Sequence, residues 1–317
     1  MRNKIVWTMA LLLFGSTSLY ADTYSALWGA AGEAWSPESR LPDFSFAGYR
    51  RGEAAVPTPP VTHNVRDFGA LGDGEHDDSD AFLRAIAEVS QGVILIPEGR
   101  YVISKIVVIN KPNLVLRGEG PDKTILYFPR PLNDIKPNWG ATTGGLRTSN
   151  YSWSGGLVSI QGNVQRQKLT DITQPATRGQ QVIQVDDASV LAVGQEIEIS
   201  LQDTAENTLA NHLYSDDPRI GLEKLLGRVH ASLVSRITAI EGNRVSLDRP
   251  LRFDVDAAWK PVVNRFAPTV TESGIEGIRF EFPNTPYGGH FSELGNNVFT
   301  LSQIAHCWVR NIHIHNA

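Results

Sequence analysis

The 317-residue chain has a net charge of −5, with 29 Lys and Arg against 34 Asp and Glu. This mild negative balance argues against nucleic acid and anionic membranes as bulk partners, and a polyanionic partner would need a local basic patch. The single cysteine, Cys307, excludes an intramolecular disulfide, so stability must come from packing and hydrogen bonds.

Met1, Arg2, Asn3 and Lys4 make a basic start, and an apolar run over residues 5–14 follows. Gly15, Ser16 and Ser18 then lead to Ala21. This is the layout of a secretory signal peptide over residues 1–21, too short for a membrane span. The alternative is a buried N-terminal strand. The expected localisation is therefore secreted or periplasmic, and no later segment reads as a membrane span. Residues 22–60, rich in proline, glycine and aromatics, read as an extended N-terminal arm laid over the fold. Pro57, Pro59 and Pro60 end it as a stiff linker.

Residues 65–86 read V-R-D-F-G-A-L-G-D-G-E-H-D-D-S-D-A-F-L-R-A-I. They predict a short strand, a turn rich in glycine and aspartate, and an amphipathic helix. Asp78 or Ser79 is the expected N-cap. Phe82, Ala85, Ile86 and Val89 recur at three- and four-residue steps, giving one apolar stripe. The rival reading is a metal loop built from Asp73, Glu75, Asp77 and Asp78, although the EF-hand register is missing. The ordered run from Val65 through Asp67, Phe68, Gly69, Gly72, Asp73, Gly74, Asp77 and Asp78 to Ile86 closely resembles the N-terminal signature of the pectate-lyase superfamily. Within it, the likeness is to rhamnogalacturonase and epimerase-like proteins. The resemblance implies an all-β fold, a right-handed parallel β-helix of the pectin-lyase type with an N-terminal capping helix, and an acidic polysaccharide as partner. A solenoid needs such a cap, because its first coil would otherwise expose apolar core and strand edge.

From Gly92 short strands follow at close spacing: a run over 92–103 with a turn inside it, then 106–109, 114–116 and 124–128. Strands of three to five residues joined by tight turns suit the coils of a β-helix. The first coils are expected over 61–167. Residues 129–156 break the rhythm and read as a long loop holding Trp139, Tyr151 and Trp153. These aromatics are candidate sugar platforms, or equally pins that hold the loop to the helix body. Residues 168–267 read as an inserted small β-rich subdomain, with a short helix at 220–226 and a hairpin over 234–247.

Coils resume over 268–317. Residues 275–282 (I-E-G-I-R-F-E-F) align with 309–316 (V-R-N-I-H-I-H-N). Ile278 and Phe280 then match Ile312 and Ile314 as inward residues, while Arg279, Glu281, His313 and His315 point outward. If the segments are successive coils, Arg279 stacks on His313 and Glu281 on His315. Tyr287 and His290 lie on the intervening turn and are further binding candidates.

The outward column is the candidate catalytic set, since proton abstraction beside a uronate carboxylate needs a base and a positive group. The alternative is an ordinary polar sheet face, and the two histidines have no evident third metal ligand. Calcium is the one cofactor the resemblance leaves open, and no metal site is assigned. The polygalacturonase branch of that superfamily carries N-T-D, D-D, G-H-G and R-x-K motifs along its later coils; N-T-D and G-H-G are absent here, and the Asp77–Asp78 pair lies in the cap and is no substitute. The chain stops at Ala317 within a strand-like run, so it reads as the front part of a longer β-helix. The expected function is action on uronate-containing glycans, with lyase-like β-elimination slightly favoured over hydrolysis or epimerisation. The alternatives are a non-catalytic glycan-binding or adhesion scaffold and an inactive truncated product.

Overall fold

The computed structural model describes residues 24–217 and 230–317. The signal segment at 1–21 and the helix expected at 220–226 lie outside the described residues. The fold is an all-β right-handed parallel β-helix. Coil by coil its strands are β1 (Val61–Asn64) and β2 (Asp73–Asp77); β3 (Gly92–Ile96), β4 (Gly99–Val102) and β5 (Val107–Ile109); then β6 (Leu114–Gly118) and β7 (Thr124–Tyr127). A hairpin of β8 (Trp139–Ala141) and β9 (Arg147–Ser149) precedes β10 (Val158–Gln161). The next segment holds β11 (Val164–Gln165), β12 (Lys168–Asp171), β13 (Val182–Gln184), β14 (Glu196–Gln202), β15 (His230–Glu241), β16 (Arg244–Leu247), β17 (Val262–Arg265) and β18 (Ala267–Pro268). β19 (Gly274–Glu281), β20 (Phe299–Ser302) and β21 (Trp308–His315) continue the coils.

The coils stack into three faces. Face A is β1, β3, β6 and the first half of β19; face B is β2, β4, β7 and the second half of β19; face C is β5, β10 and β20. β21 pairs in parallel along both halves of β19. Because side chains alternate along a strand, each face has an inward and an outward row. The inward rows are apolar and in register, as in Ile94–Leu116–Ile275 on face A and Tyr101–Leu126–Phe280 on face B. Val107–Val158–Phe299 is their counterpart on face C. Together they form one continuous core.

Helix α1 (Ser79–Glu88) closes the first coil, burying Ala81, Phe82, Ala85 and Ile86, with the Phe82 ring edge-on to Tyr101 at 5.6 Å. The capping chemistry differs from expectation. Asp78 occupies the N-cap position but makes no side-chain bond to the helix. Its fully buried carboxylate accepts from the amides of Leu71 (2.7 Å) and Gly72 (3.1 Å), holding the glycine turn. Asp77 instead accepts from the Ser79 amide at 3.0 Å, its hydroxyl at 2.5 Å, and the Ser104 hydroxyl. The one-residue shift arises because Asp78 faces the turn it follows. Asp78→Ala leaves two amides without acceptors and is expected to cost about 2–3 kcal/mol in urea unfolding.

The segment expected as a long loop is more ordered than its composition implied. It contains α2 (Leu132–Ile135), the β8–β9 hairpin and a 3₁₀ turn at Asn150–Ser152. In the inserted segment, six antiparallel strands run in the order β12-β17-β14-β15-β16-β13 over a second apolar core. The expected hairpin is present, with Glu241 paired to Arg244 around Gly242 and Asn243. α3 (Thr208–Leu213) meets Trp259, in the 3₁₀ turn Ala257–Trp259, through His212.

The arm lies over face A. Tyr49 and Val56 pack on Val93, Val115 and Trp308. Arg51 pairs with Glu196 (2.5 Å) and Asp248 (3.1 Å) of the inserted sheet, while Tyr49 and Arg50 both donate to Glu272 of the β-helix. Beneath the arm Glu276 is 5% exposed and bridges Arg117 and Arg310, each Nε donating to it at 2.5 Å.

Candidate functional site

With face A covered, the outer sides of faces B and C carry the remaining candidate chemistry. Face B places the sequence-derived column as the repeat required. Arg279 is in register with His313, and Glu281 with His315. The register continues backwards through Ile125 to Arg100 behind Arg279, and through Tyr127 to Val102 behind Glu281.

That continuation brings in two residues the sequence reading did not single out. Arg100 extends over the Tyr127 ring, its guanidinium carbon 4.1 Å from the ring centre, and donates to Glu281 at 2.7 Å. The arginine thus crosses a whole strand diagonally, and its reach is fixed by the aromatic surface below it. Pairing with Arg100 leaves Glu281 a poor choice of free base.

Arg279 is different. Its Nε is buried and has no hydrogen-bond partner, and the residue has no ion pair among the described residues. His313 and His315 stand beside it on the exposed row, with rings 6.1 Å apart in an edge-on arrangement. Arg100, Arg279 and the two histidines form a local basic patch in a chain of negative net charge. An arginine with an unpartnered donor beside two imidazoles is a place where a carboxylate can be stabilised and a proton taken up.

The aromatic candidates fall elsewhere. Tyr151 is 7% exposed and donates its hydroxyl to the Lys136 carbonyl at 2.8 Å, and burial raises its pKa. That bond pins its loop, and Tyr151 also lines the groove on face C. Trp139 is exposed and lies under the Arg147 guanidinium at 4.1 Å. Trp153 and His290 face one another at 6.2 Å, and Tyr287 is 73% exposed. Residues 129–156 and 283–298 are joined by backbone bonds from Leu132 to Gly295 and from Asn133 to Leu294, both 2.9 Å. Among the described residues no hydrogen bond or ring contact ties this wall to the face B column.

The wall overhangs face C instead. A groove of about 610 Å³ runs there, floored by the row Val108–Ser159–Thr300 and walled by Lys136, Asn138 and Ser154. Its polar groups are hydroxyls and amides, with Lys136 the only charge.

No group of three or more His, Cys, Asp or Glu side chains is placed to hold a metal among the described residues. The carboxylates of the cap turn are taken by protein donors: Asp73 by the amides of Glu75 and His76, and Asp77 and Asp78 as described above.

Residues 62–130 match the family described as rhamnogalacturonase A/epimerase, pectate lyase-like. That match covers the cap and the first coils of the parallel β-helix. Over 155 residues it is 24% identical to plasmin and fibronectin-binding protein A of Streptococcus pneumoniae, covering 44% of this chain and 20% of that protein. It is 30% identical over 112 residues to alginate lyase 7 of Azotobacter vinelandii, covering 32% of this chain and 13% of the relative. The gp54 tailspike of Acinetobacter baumannii bacteriophage AP22, solved in complex with capsular saccharide, superposes with a TM-score of 0.44 at 13% identity. That superposition covers 80% of this chain and 36% of the tailspike. This chain therefore spans a fifth or less of these two curated relatives. The β-helix presents two outer faces for chemistry, one with the Arg100–Arg279 cluster and one with the groove lined by hydroxyls and amides. Among the described residues no helix is long and apolar enough to cross a membrane.

Proposed function

We propose that this chain is exported and acts on uronate-containing polysaccharide at face B, by proton abstraction beside the sugar carboxylate. The observation that carries the reading is Arg279, whose buried Nε lacks a partner on an open face next to His313. A uronate carboxylate accepts from the Arg279 guanidinium, which also offsets charge as it builds on that carboxylate. A neutral imidazole of His313 or His315 takes the proton from the adjacent carbon. The electron pair of that C–H bond forms a carbon–carbon double bond, the neighbouring glycosidic oxygen leaves with its bonding pair, and water protonates it. Hydrolysis is less well supported, because it calls for two free carboxylates across the scissile bond. Face B offers Glu281, which Arg100 already engages.

The test is the full chain incubated with polygalacturonate and with alginate, read by ultraviolet absorbance of unsaturated uronate ends. Arg279→Gln is expected to lower kcat/KM about 10- to 100-fold, the equivalent of the ~1.5–3 kcal/mol of a charged hydrogen bond. Wild-type turnover that survives the substitution unchanged would reject face B as the site. A native N-terminus beginning at Asp22 would support export.

A second reading, a non-catalytic glycan-binding scaffold, is favoured by the face C groove, whose hydroxyl and amide lining contains no acid–base pair. It leads to affinity for polysaccharide without turnover, weakened by Trp153→Ala on the overhanging wall and indifferent to Arg279→Gln.

A further inference from the structure

The inserted sheet holds a second concave site that neither outer face of the β-helix uses. A cleft of about 240 Å³ opens where α3, the segment around Arg252 and the arm meet. Arg40, Arg178 and Arg252 line it together with His212, Asp216 and Asp254. Arg40 stands at the exposed rim, while Arg178 and Arg252 are half-buried.

The acidic residues offset only part of this cluster. Asp254 is occupied on both oxygens: Oδ1 accepts from the Arg178 backbone amide at 2.7 Å, and Oδ2 faces His212 Nε2 at 3.1 Å. Asp216 is exposed to solvent. Arg252 spends its terminal nitrogens on uncharged carbonyls of the arm, those of Pro37 (3.1 Å), Ser39 (2.9 Å) and Leu41 (2.9 Å). These bonds fix the guanidinium in place without cancelling its charge. None of the three arginines forms an ion pair among the described residues.

Two further observations point to a missing partner. The Nε atoms of Arg178 and Arg252 are both buried with nothing to donate to. Burial, and after it the like charge of Arg178, pulls the Arg252 pKa below its ordinary value, with Asp43 of the arm opposing in part. Arginine stays charged nonetheless. Three guanidiniums against two carboxylates leave the lining of the cleft with an excess of positive charge, which an oxyanion offsets.

We infer that this cleft binds an oxyanion, the sulfate, phosphate or carboxylate group of a ligand no larger than a monosaccharide. The site is independent of face B and of any turnover there. Calorimetric titration of the full chain with sodium sulfate against a sodium chloride background of equal ionic strength tests it. Calorimetry is needed because sulfate stabilises folded proteins generally, so a thermal shift alone would mislead. Galacturonic acid, titrated in parallel, separates a free inorganic ion from a sugar-borne carboxylate.

All titrations are made in an Arg279→Gln background, which removes the unpaired guanidinium of face B. Saturable binding of either probe, weakened about tenfold or more by Arg178→Gln and partly restored by Arg178→Lys, is expected. If Arg178→Gln fails to fold, Arg40→Gln at the exposed rim takes its place with the same expectation. No saturable heat with either probe, or binding equal in the Arg178 and Arg40 variants and the parent, overturns the assignment.

Discussion

Replacing Glu276 with glutamine is expected to lower the unfolding free energy by about 3–5 kcal/mol, the loss typical of breaking a buried charged triad from one side. The carboxylate bridges Arg117 and Arg310 and also accepts from Trp308 Nε1 at 3.0 Å. Glutamine keeps the shape but removes the charge, leaving two guanidiniums facing one another across a neutral amide. Those arginines are 17% and 33% exposed at the side chain, so water screens part of the repulsion and the lower half of the range is expected. The same arginines hold the arm: Arg117 donates to the Pro59 carbonyl at 2.7 Å, and Arg310 to those of Val56 (3.3 Å) and Pro57 (2.9 Å). The substitution should therefore loosen the arm as well, seen as faster amide exchange over residues 49–60. Equal urea midpoints for wild type and Glu276→Gln would mean that the triad contributes nothing to stability.

The triad also sets an acid limb. Burial raises the Glu276 pKa, but hydrogen bonds from Arg310, Arg117 and Trp308 outweigh it, and the net shift is downward. A carboxyl with a depressed folded pKa binds fewer protons than in the unfolded chain. Its stabilisation is thus fully present above its unfolded pKa of roughly 4, and is lost as pH falls through the lower folded value. Asp77 adds in the same direction: burial raises its pKa, and the Ser104 and Ser79 hydroxyls bring it down further. Wild-type stability should fall steeply below about pH 4, and Glu276→Gln should flatten that slope.

How far these features could be read from sequence depended on whether the signal was local. The cap and short coils were legible because turn residues and two-residue alternation are printed along the chain. The pairing of Arg279 with His313 was legible because residues 275–282 and 309–316 repeat one another. The Arg100–Glu281 pair was not, because its partners lie 181 residues apart and meet only through the stacking of an unrepeated coil. Glu276 showed the same limit. Its alignment with Arg310 followed from the repeat, yet its burial depends on an arm that runs across face A from more than 200 residues earlier. Tyr151 looked like Trp139 and Trp153 in sequence, and only the packing of α2 and the 283–298 segment separates a pin from an exposed ring. The basic cleft of the inserted sheet was silent for the same reason, since Arg40, Arg178 and Arg252 share no motif.

Gly277→Ala is expected to cost about 2–4 kcal/mol and to disable face B, because this residue is the corner at which β19 passes from one face to the next. β19 pairs with β6 through residues 274–276 and with β7 through residues 279–281, leaving Gly277 between the two registers. Its φ of 71° lies in the left-handed region, where a Cβ costs about 1 kcal/mol. The rest is steric: an added Cβ would stand 2.7 Å from the Gly118 carbonyl oxygen, which belongs to backbone and cannot swing away. Opening that contact displaces the coil by the 1–3 kcal/mol of an overpacked core. It also strains the bond from the Gly120 amide to the Gly277 carbonyl at 3.0 Å. Arg279 and Glu281 follow the corner directly, so a shift there changes where Arg279 points and whether Arg100 reaches Glu281. Gly145→Ala separates the two contributions, since Gly145 has φ 82° but nothing within 4 Å of an added Cβ. It should show only the backbone strain, about 1 kcal/mol, with the proposed activity at face B unchanged. Equal urea midpoints for the two variants would remove the corner contact as the reason for glycine at 277, whereas a larger loss at 277 with activity falling beside it ties the bend to the site it positions.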